Sequence, residues 1–360
     1  MTDPVGVLPS QTLSAMIAQG QIRADRPIPE EQIQPASLDL RLGQKAWRVR
    51  ASFLPGDATV AERLDSFAMH DFTLEDGAVL EKGCVYLVPL MESLDLPDTV
   101  DAVANAKSST GRLDLFTRLI TDHGEEFDRI PAGYSGPLYA EISPRSFSVL
   151  LRPGMRLNQV RFRRGKAELD DTALAALHGQ SRLVDGDAHV DGGLGFSVDL
   201  RPAEGTLVGY RAKPHTALID LDQIGAYPVA EFWEEVHSDE GRIILDPGAF
   251  YILVSREAVH VPPDHAAEMA PYIAMVGEFR VHYAGFFDPG FGNAEAGGAG
   301  SRGVLEVRCH EAPFALEHGQ IVGRLVYEKM TETPEKLYGA AMGSNYQGQG
   351  LKLSKHFKAP

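Results

Sequence analysis

Cysteine is nearly absent from this chain: Cys84 and Cys309 are the two among 360 residues. Two thiols supply no disulfide framework, and no Cys-x-x-Cys is present to seed a structural zinc site. The expected state is a pair of buried thiols in a reducing compartment. Positive charge is also scarce, with 34 Lys and Arg against 50 Asp and Glu, a formal net charge of -16. Such a surface repels nucleic acid and anionic membrane, so neither a nucleic-acid polymer nor a membrane is expected as a partner. Long apolar runs are missing too, since none approaches the roughly 18 residues a membrane span needs. No basic-then-apolar leader opens the sequence. These absences together predict a cytoplasmic protein.

What is present is ordinary globular composition, 44% hydrophobic and 23% charged, at a length that suits two domains. An acidic chain can still bind a small polyanion where its few cations converge, so the placement of Arg and Lys carries information. The strongest organisational signal is an internal repeat. Leu80-Glu81-Lys82-Gly83-Cys84-Val85-Tyr86 is matched by Leu245-Asp246-Pro247-Gly248-Ala249-Phe250-Tyr251, an offset of 165 that Pro97 and Pro262, and Glu141 and Glu306, also share. Ser37-Leu38-Asp39-Leu40-Arg41 matches Ser197-Val198-Asp199-Leu200-Arg201. Gly133-Tyr134 matches Gly290-Phe291, and Gln159 matches Gln320. Several matches in one order, with slightly drifting offsets, indicate one duplicated fold with loop insertions.

Each copy reads as β. Short β-rich runs such as 85–90, 147–151, 251–254 and 321–327 are punctuated by Gly, Pro and Asp. An all-β-dominated fold of sandwich, jelly-roll or barrel type is expected, with few short helices. Ser10 to Gln19 and Asp171 to His178 have the spacing of two such helices. The polar stretch from about 165 to 194 places the boundary, giving domains over 1–170 and 190–332. The Gly-rich 297–300 segment reads as a flexible loop. Residues 333–360 form a separate tail, either a loose basic end or a lid over an anionic ligand.

Lys107-Ser108-Ser109-Thr110-Gly111-Arg112 packs two cations, three hydroxyls and a glycine into six residues. Hydroxyls and backbone N–H groups donate hydrogen bonds, Arg offers a planar fork for phosphate oxygens, and Lys adds a compact charge. A solvated polar turn would have the same composition. Downstream, Arg129-Ile130-Pro131-Ala132-Gly133-Tyr134-Ser135-Gly136 reads as a hairpin leading into a strand that carries Glu141. Period-2 alternation puts Tyr139 and Glu141 on one face and Ala140 and Ile142 on the other. Glu141 then lies either on a solvent face or in a pocket where it can move protons.

Taken together, these segments resemble the dCTP deaminases of the dUTPase-like superfamily. Gln32 to Gly43 is similar to their N-terminal signature, and Lys107 to Arg112 to their Arg/Lys-Ser-Ser-x-x-Arg phosphate motif. Gly133 to Gly136 and Glu141 resemble the nucleoside hairpin and catalytic glutamate. Arg152 to Gln159 resembles the Pro-Gly-Met strand, and Asn345-Tyr346-Gln347-Gly348-Gln349 the C-terminal lid. The doubled length resembles a longer, duplicated branch with two tandem dUTPase-like (β-clip or jelly-roll-like) domains.

The resemblance implies hydrolytic deamination of dCTP to dUTP and ammonia without protein-bound metal. Zinc deaminases use a Pro-Cys-x-x-Cys pattern this chain lacks, so zinc is not expected. Glu141 would act as general base and then acid, with Ser108 and Arg112 holding water and phosphates and Arg129 beside the base or phosphates. Lys107, Ser109, Thr110, Gly111, Tyr134 and Tyr139 would bind nucleotide. Asn345, Tyr346 and Gln349 would close over a triphosphate carrying Mg2+. A homotrimer of two-domain chains is implied, either with like copies meeting or with Ser108 and Arg112 facing Asp288 and Glu306.

Two departures bear on this. The second copy reads Pro271 to Val276 where the phosphate motif belongs, which leaves it degenerate, with Glu306 expected on a solvated strand. Pro131 stands where the family usually has an Asp that serves phosphate cleavage in dUTPases. Deamination alone is therefore favoured over a bifunctional enzyme or dUTPase, in which Asp288 would activate water. A silent nucleotide-binding regulator is the remaining alternative.

Overall fold

The computed structural model of the chain describes residues 3–238, 240–271, 279–281, 285–294, 299–339 and 350–359. It is dominated by strands, with five short helices among the described residues, so the expected all-β class is what forms. The chain divides into two compact units. The first comprises residues 1–167 together with 217–224, and the second comprises 168–216 together with 225–360.

The first unit is built on two main sheets. In one, Arg156–Arg164 lies between Gly6–Val7 and Asp101–Ala106, whose other edge takes Arg129–Ile130. Leu38–Arg41 also pairs with Arg156–Arg164. The other sheet runs Ala68–Thr73, Lys45–Val49, Val85–Asp95, Ser135–Pro144, Leu115–Thr121. A small third sheet adds Ile219–Asp220 in parallel to Val149–Leu151, which is why 217–224 belongs to this unit.

Local sequence explains the elements that frame the centre. In Ser135–Pro144, Leu138, Ala140 and Ile142 are fully buried, as period-2 alternation requires of a core-facing set. Thr59 caps the helix Val60–Phe67 through a reciprocal capping box with Glu62, which satisfies two end N–H groups. Val60 and Leu64, one turn apart, pack that helix into a cluster with Val49, Phe53, Leu87 and Ile120. Each such buried aliphatic side chain contributes on the order of 2 kcal/mol. Gly133 turns the chain into the Glu141 strand with φ +75°, and a Cβ there would stand 2.5 Å from Asp98 Oδ1. Only glycine fits that turn without a shift.

The second unit has a sheet ordered Trp233–His237, Leu207–Ala212, Phe250–Val259, Ser301–Cys309, Phe279–Val281. A second sheet runs Leu194–Ser197, Ile321–Lys329, His265–Pro271, Phe286–Phe287. The expected helices form at Ser10–Ala18 and Asp171–Gln180, the latter capped by Asp170. Cys309 is buried, but Cys84 is only half-buried, so the expectation of two buried thiols holds for one. No helix among the described residues is long and apolar enough to cross a membrane.

The loose-end reading of the tail fails for 350–359. Phe357 packs edge-on against Tyr227, Phe232 and Trp233, at ring separations of 6.4, 5.5 and 5.8 Å. Backbone bonds run from Ala226 N–H to the His356 carbonyl and from Lys358 N–H to the Tyr227 carbonyl.

Candidate functional site

Glu141 sits mid-strand, opposite Leu87 on one side and Arg118 on the other. It is 3% exposed, so its face of the strand is covered and not on solvent. The reason lies in the neighbouring cluster. Leu87, Ile120 and Tyr139 share that face, and the helix Val60–Phe67 with Phe53 and Phe127 covers it. A carboxylate left bare in such surroundings would be costly. Arg118 answers it, donating from Nε at 3.1 Å and from Nη2 at 2.5 Å, both to Oε1. The guanidinium is itself held, with Phe127's ring centroid 3.4 Å away, Phe116's 4.7 Å away, and Ser52 Oγ accepting from Nη2 at 2.8 Å. Sequence reading missed Arg118. The available signal was a lone cation inside the apolar run Leu115-Phe116-Thr117-Arg118-Leu119-Ile120.

The Lys107–Arg112 segment is not a solvated turn. Ser108–Gly111 forms a single helical turn, and Ser109, Thr110, Gly111 and Arg112 are buried. Lys107, just before it, pairs with the buried carboxylate of Asp39, and Arg156 reaches the same oxygen at 3.8 Å. The 32–43 signature thus has a structural job. Gln32 Nε2 donates to the Asp39 carbonyl at 2.6 Å and to Glu92 Oε1 at 2.7 Å. Arg41 donates to Glu92 from its backbone N–H and from Nε, each at 2.8 Å. A buried network of this kind holds its members in place, with Gln32 Oε1 and Asp39 Oδ1 left without a hydrogen-bond partner.

The remaining site residues are more dispersed. Arg129 is exposed and pairs with Glu126 at 3.0 Å. Asp128 just before it has φ +63° and accepts from Leu119 N–H at 2.7 Å, which ties the start of Arg129–Ile130 to the Arg118 strand. Tyr134 donates its hydroxyl to the Pro137 carbonyl at 2.6 Å and accepts from Asp122 N–H at 3.2 Å. Burial, then the charge of Asp122, pushes the Tyr139 phenol up to about 12, so it stays a neutral donor at any physiological pH. Burial raises Tyr134 as well. The structure brings Glu141 and Tyr139 together on one face, and Lys107 to Arg112 into one turn. Asn345, Tyr346 and Gln349 lie outside the described residues, as does 272–278.

In the second unit, Glu306 faces Ile252 across its strand pair. It is 5% exposed, which corrects the expectation of a solvated strand. Asp199, which the sequence repeat pairs with Asp39, is held by Arg302 at 2.5 Å and by His318 at 3.4 Å.

Comparison with known proteins now adds to this geometry. Residues 4–166 match the family model for the 2'-deoxycytidine 5'-triphosphate deaminase N-terminal domain, and residues 170–357 match that for the C-terminal domain. The chain belongs to the dCTP deaminase family. It is accordingly an enzyme acting on a cytosine amino group. A solved dCTP deaminase from Agrobacterium tumefaciens is 57% identical, with a TM-score of 0.87 over 91% of this chain and 99% of that one. Shorter relatives match less than half of this chain. A dUMP-forming dCTP deaminase of Sulfurihydrogenibium is 29% identical over 163 residues, 43% of this chain and 82% of its own length. One from Methanosphaera stadtmanae is 30% identical over 165 residues, 44% and 79% respectively.

Proposed function

We infer that this chain hydrolyses dCTP to dUTP and ammonia, with Glu141 moving the protons. The observation that carries the reading is a buried carboxylate with one oxygen held by Arg118 and the other without a partner among the described residues. Oε2 takes a proton from water as the hydroxyl adds to C4 of the cytosine. That proton goes to ring N3, completing a tetrahedral adduct; Oε2 then moves the adduct's hydroxyl proton to the amino group, which leaves as ammonia as C4 becomes a carbonyl. General acid–base work of this kind contributes about 10²–10⁴-fold. Ser108 and Arg112 orient that water and the phosphates, Arg129 adds charge beside the nucleotide, and Lys107, Ser109, Thr110, Gly111, Tyr134 and Tyr139 shape the remaining contacts. Asn345, Tyr346 and Gln349 close over the triphosphate.

Magnesium enters this proposal as part of the substrate. The ion is carried by phosphate oxygens and water.

The two units are proposed to be copies of one dUTPase-like unit, covering 1–170 and 190–332, with 333–360 as tail and lid. Two like geometries support this. Tyr86 Oη accepts from Glu81 N–H at 3.0 Å, and Tyr251 Oη accepts from Asp246 N–H at 2.9 Å. Glu141 opposite Leu87 and Glu306 opposite Ile252 keep the 165 offset. The assembly proposed is a homotrimer in the cytoplasm, with the second unit as scaffold.

A second reading has its own support: both shorter relatives are named dUMP-forming. Pro131 in place of the usual Asp weighs against it. Anion-exchange chromatography of a dCTP incubation decides. Accumulating dUTP is the expected product, whereas dUMP with pyrophosphate would replace the first reading by the second. Tight dCTP binding with no product would point to a silent regulator.

A further inference from the structure

We propose that Arg118 is the positioning residue for Glu141, fixing Oε1 so that Oε2 alone faces the reacting water. This rests on the deamination reading above. A glutamate carboxylate can turn about its last torsion, and its two oxygens are chemically equivalent. Here they are made inequivalent. Two donors of one planar guanidinium, Nε at 3.1 Å and Nη2 at 2.5 Å, converge on Oε1, and no protein donor meets Oε2 among the described residues. Nη2 is further tied to Ser52 Oγ at 2.8 Å. The guanidinium plane is clamped by Phe127 at 3.4 Å and Phe116 at 4.7 Å from the ring centroids. Arg118 is 23% exposed in its side chain and Glu141 3%, so the carboxylate is covered while its partner still reaches solvent.

A purely structural ion pair would need none of this asymmetry, and a lysine would serve it as well. The aromatic clamp and the two-point hold on a single oxygen require the rigid fork of arginine. The arrangement lets one carboxylate do two jobs: one oxygen anchors and keeps its orientation, and the other accepts a proton and returns it. Pre-set geometry of this sort is worth about 10²-fold when a misplacement near 1 Å is avoided.

The test measures kcat and KM for ammonia release from dCTP, with thermal midpoints, in the full-length wild type, Arg118→Ala and Arg118→Lys. The expected result is kcat lowered about 10²-fold in Arg118→Ala, with KM within about threefold of wild type. Arg118→Lys recovers part of the loss, to about 10-fold below wild type, because it restores charge at one point without the fork. A loss that sits wholly in KM, or a wild-type kcat in Arg118→Lys, overturns the proposal. The lysine variant decides if the alanine variant does not fold. A wild-type chain that releases no ammonia from dCTP overturns the reaction assignment and this role with it. Normal wild-type turnover beside undiminished kcat in Arg118→Lys overturns the role alone.

Discussion

Each unit has a strand that buries a glutamate, and the two glutamates keep different company. In the first, the face that bears Glu141 continues through Tyr139 two residues before and Ser143 two after; in the second, Glu306 is flanked by Val304 and Arg308. Both carboxylates are buried, and each lies on the strand next to one edge of its main five-strand path. The signature aspartates differ as well. Asp39 holds Lys107, the residue that opens the hydroxyl-rich turn, whereas Asp199 holds Arg302 on the Glu306 strand itself. One aspartate holds the start of a helical turn, and the other pairs within a sheet. A similar strand order does not imply a similar site; the side chains gathered around the carboxylate differ.

The largest structural effect expected is at those aspartates. Asp39→Asn leaves Lys107 and Arg156 short of their anion in a buried network, and should lower stability by about 2 kcal/mol, discounted because Lys107 is partly exposed and the amide still accepts a bond. Asp199→Asn should lower it by about 1 kcal/mol, since Arg302 is 38% exposed in its side chain. Thermal midpoints check the order, and only Asp39→Asn should also weaken dCTP binding. Equal midpoints and equal binding in the two variants would erase the contrast between the units.

A smaller effect concerns Tyr139, which stands two residues before Glu141 as Val304 stands two before Glu306. Its phenol is pushed up to about 12 in the folded chain, above an unfolded value of about 10. The stability this represents is fully present below pH about 10 and is lost as pH rises through about 12. Tyr139→Phe should therefore lessen the alkaline fall in stability over that window and leave stability at pH 7 little changed by titration. Denaturant midpoints at the two pH values measure it.

Much of this was legible before any coordinates. The β-rich runs, the helices at Ser10 and Asp171 and the motifs that mark the family all follow from local pattern and spacing. Alternation correctly paired Tyr139 with Glu141, but it cannot say which face of a strand is covered. That depends on the segment 50–67, whose capped helix and Phe53 close over Glu141's side. Arg118 and Glu141 meet only once the strand register is set, 23 residues apart, and Lys107 meets Asp39 across 68. Segment 217–224 returns to the first unit through a parallel pairing with Val149–Leu151, which no local signal encodes. Glu306 was misjudged for the same reason: burial is a tertiary property, and a degenerate motif nearby does not expose a strand.

The central claim is that chemistry belongs to the first unit's carboxylate. Ammonia release from dCTP, measured side by side in Glu141→Gln and Glu306→Gln, tests it most directly. The account predicts a loss of at least about 10³-fold in Glu141→Gln with nucleotide binding retained, and turnover within about twofold of wild type per folded protein in Glu306→Gln. Undiminished release by Glu141→Gln, or its abolition in Glu306→Gln alone, would contradict it.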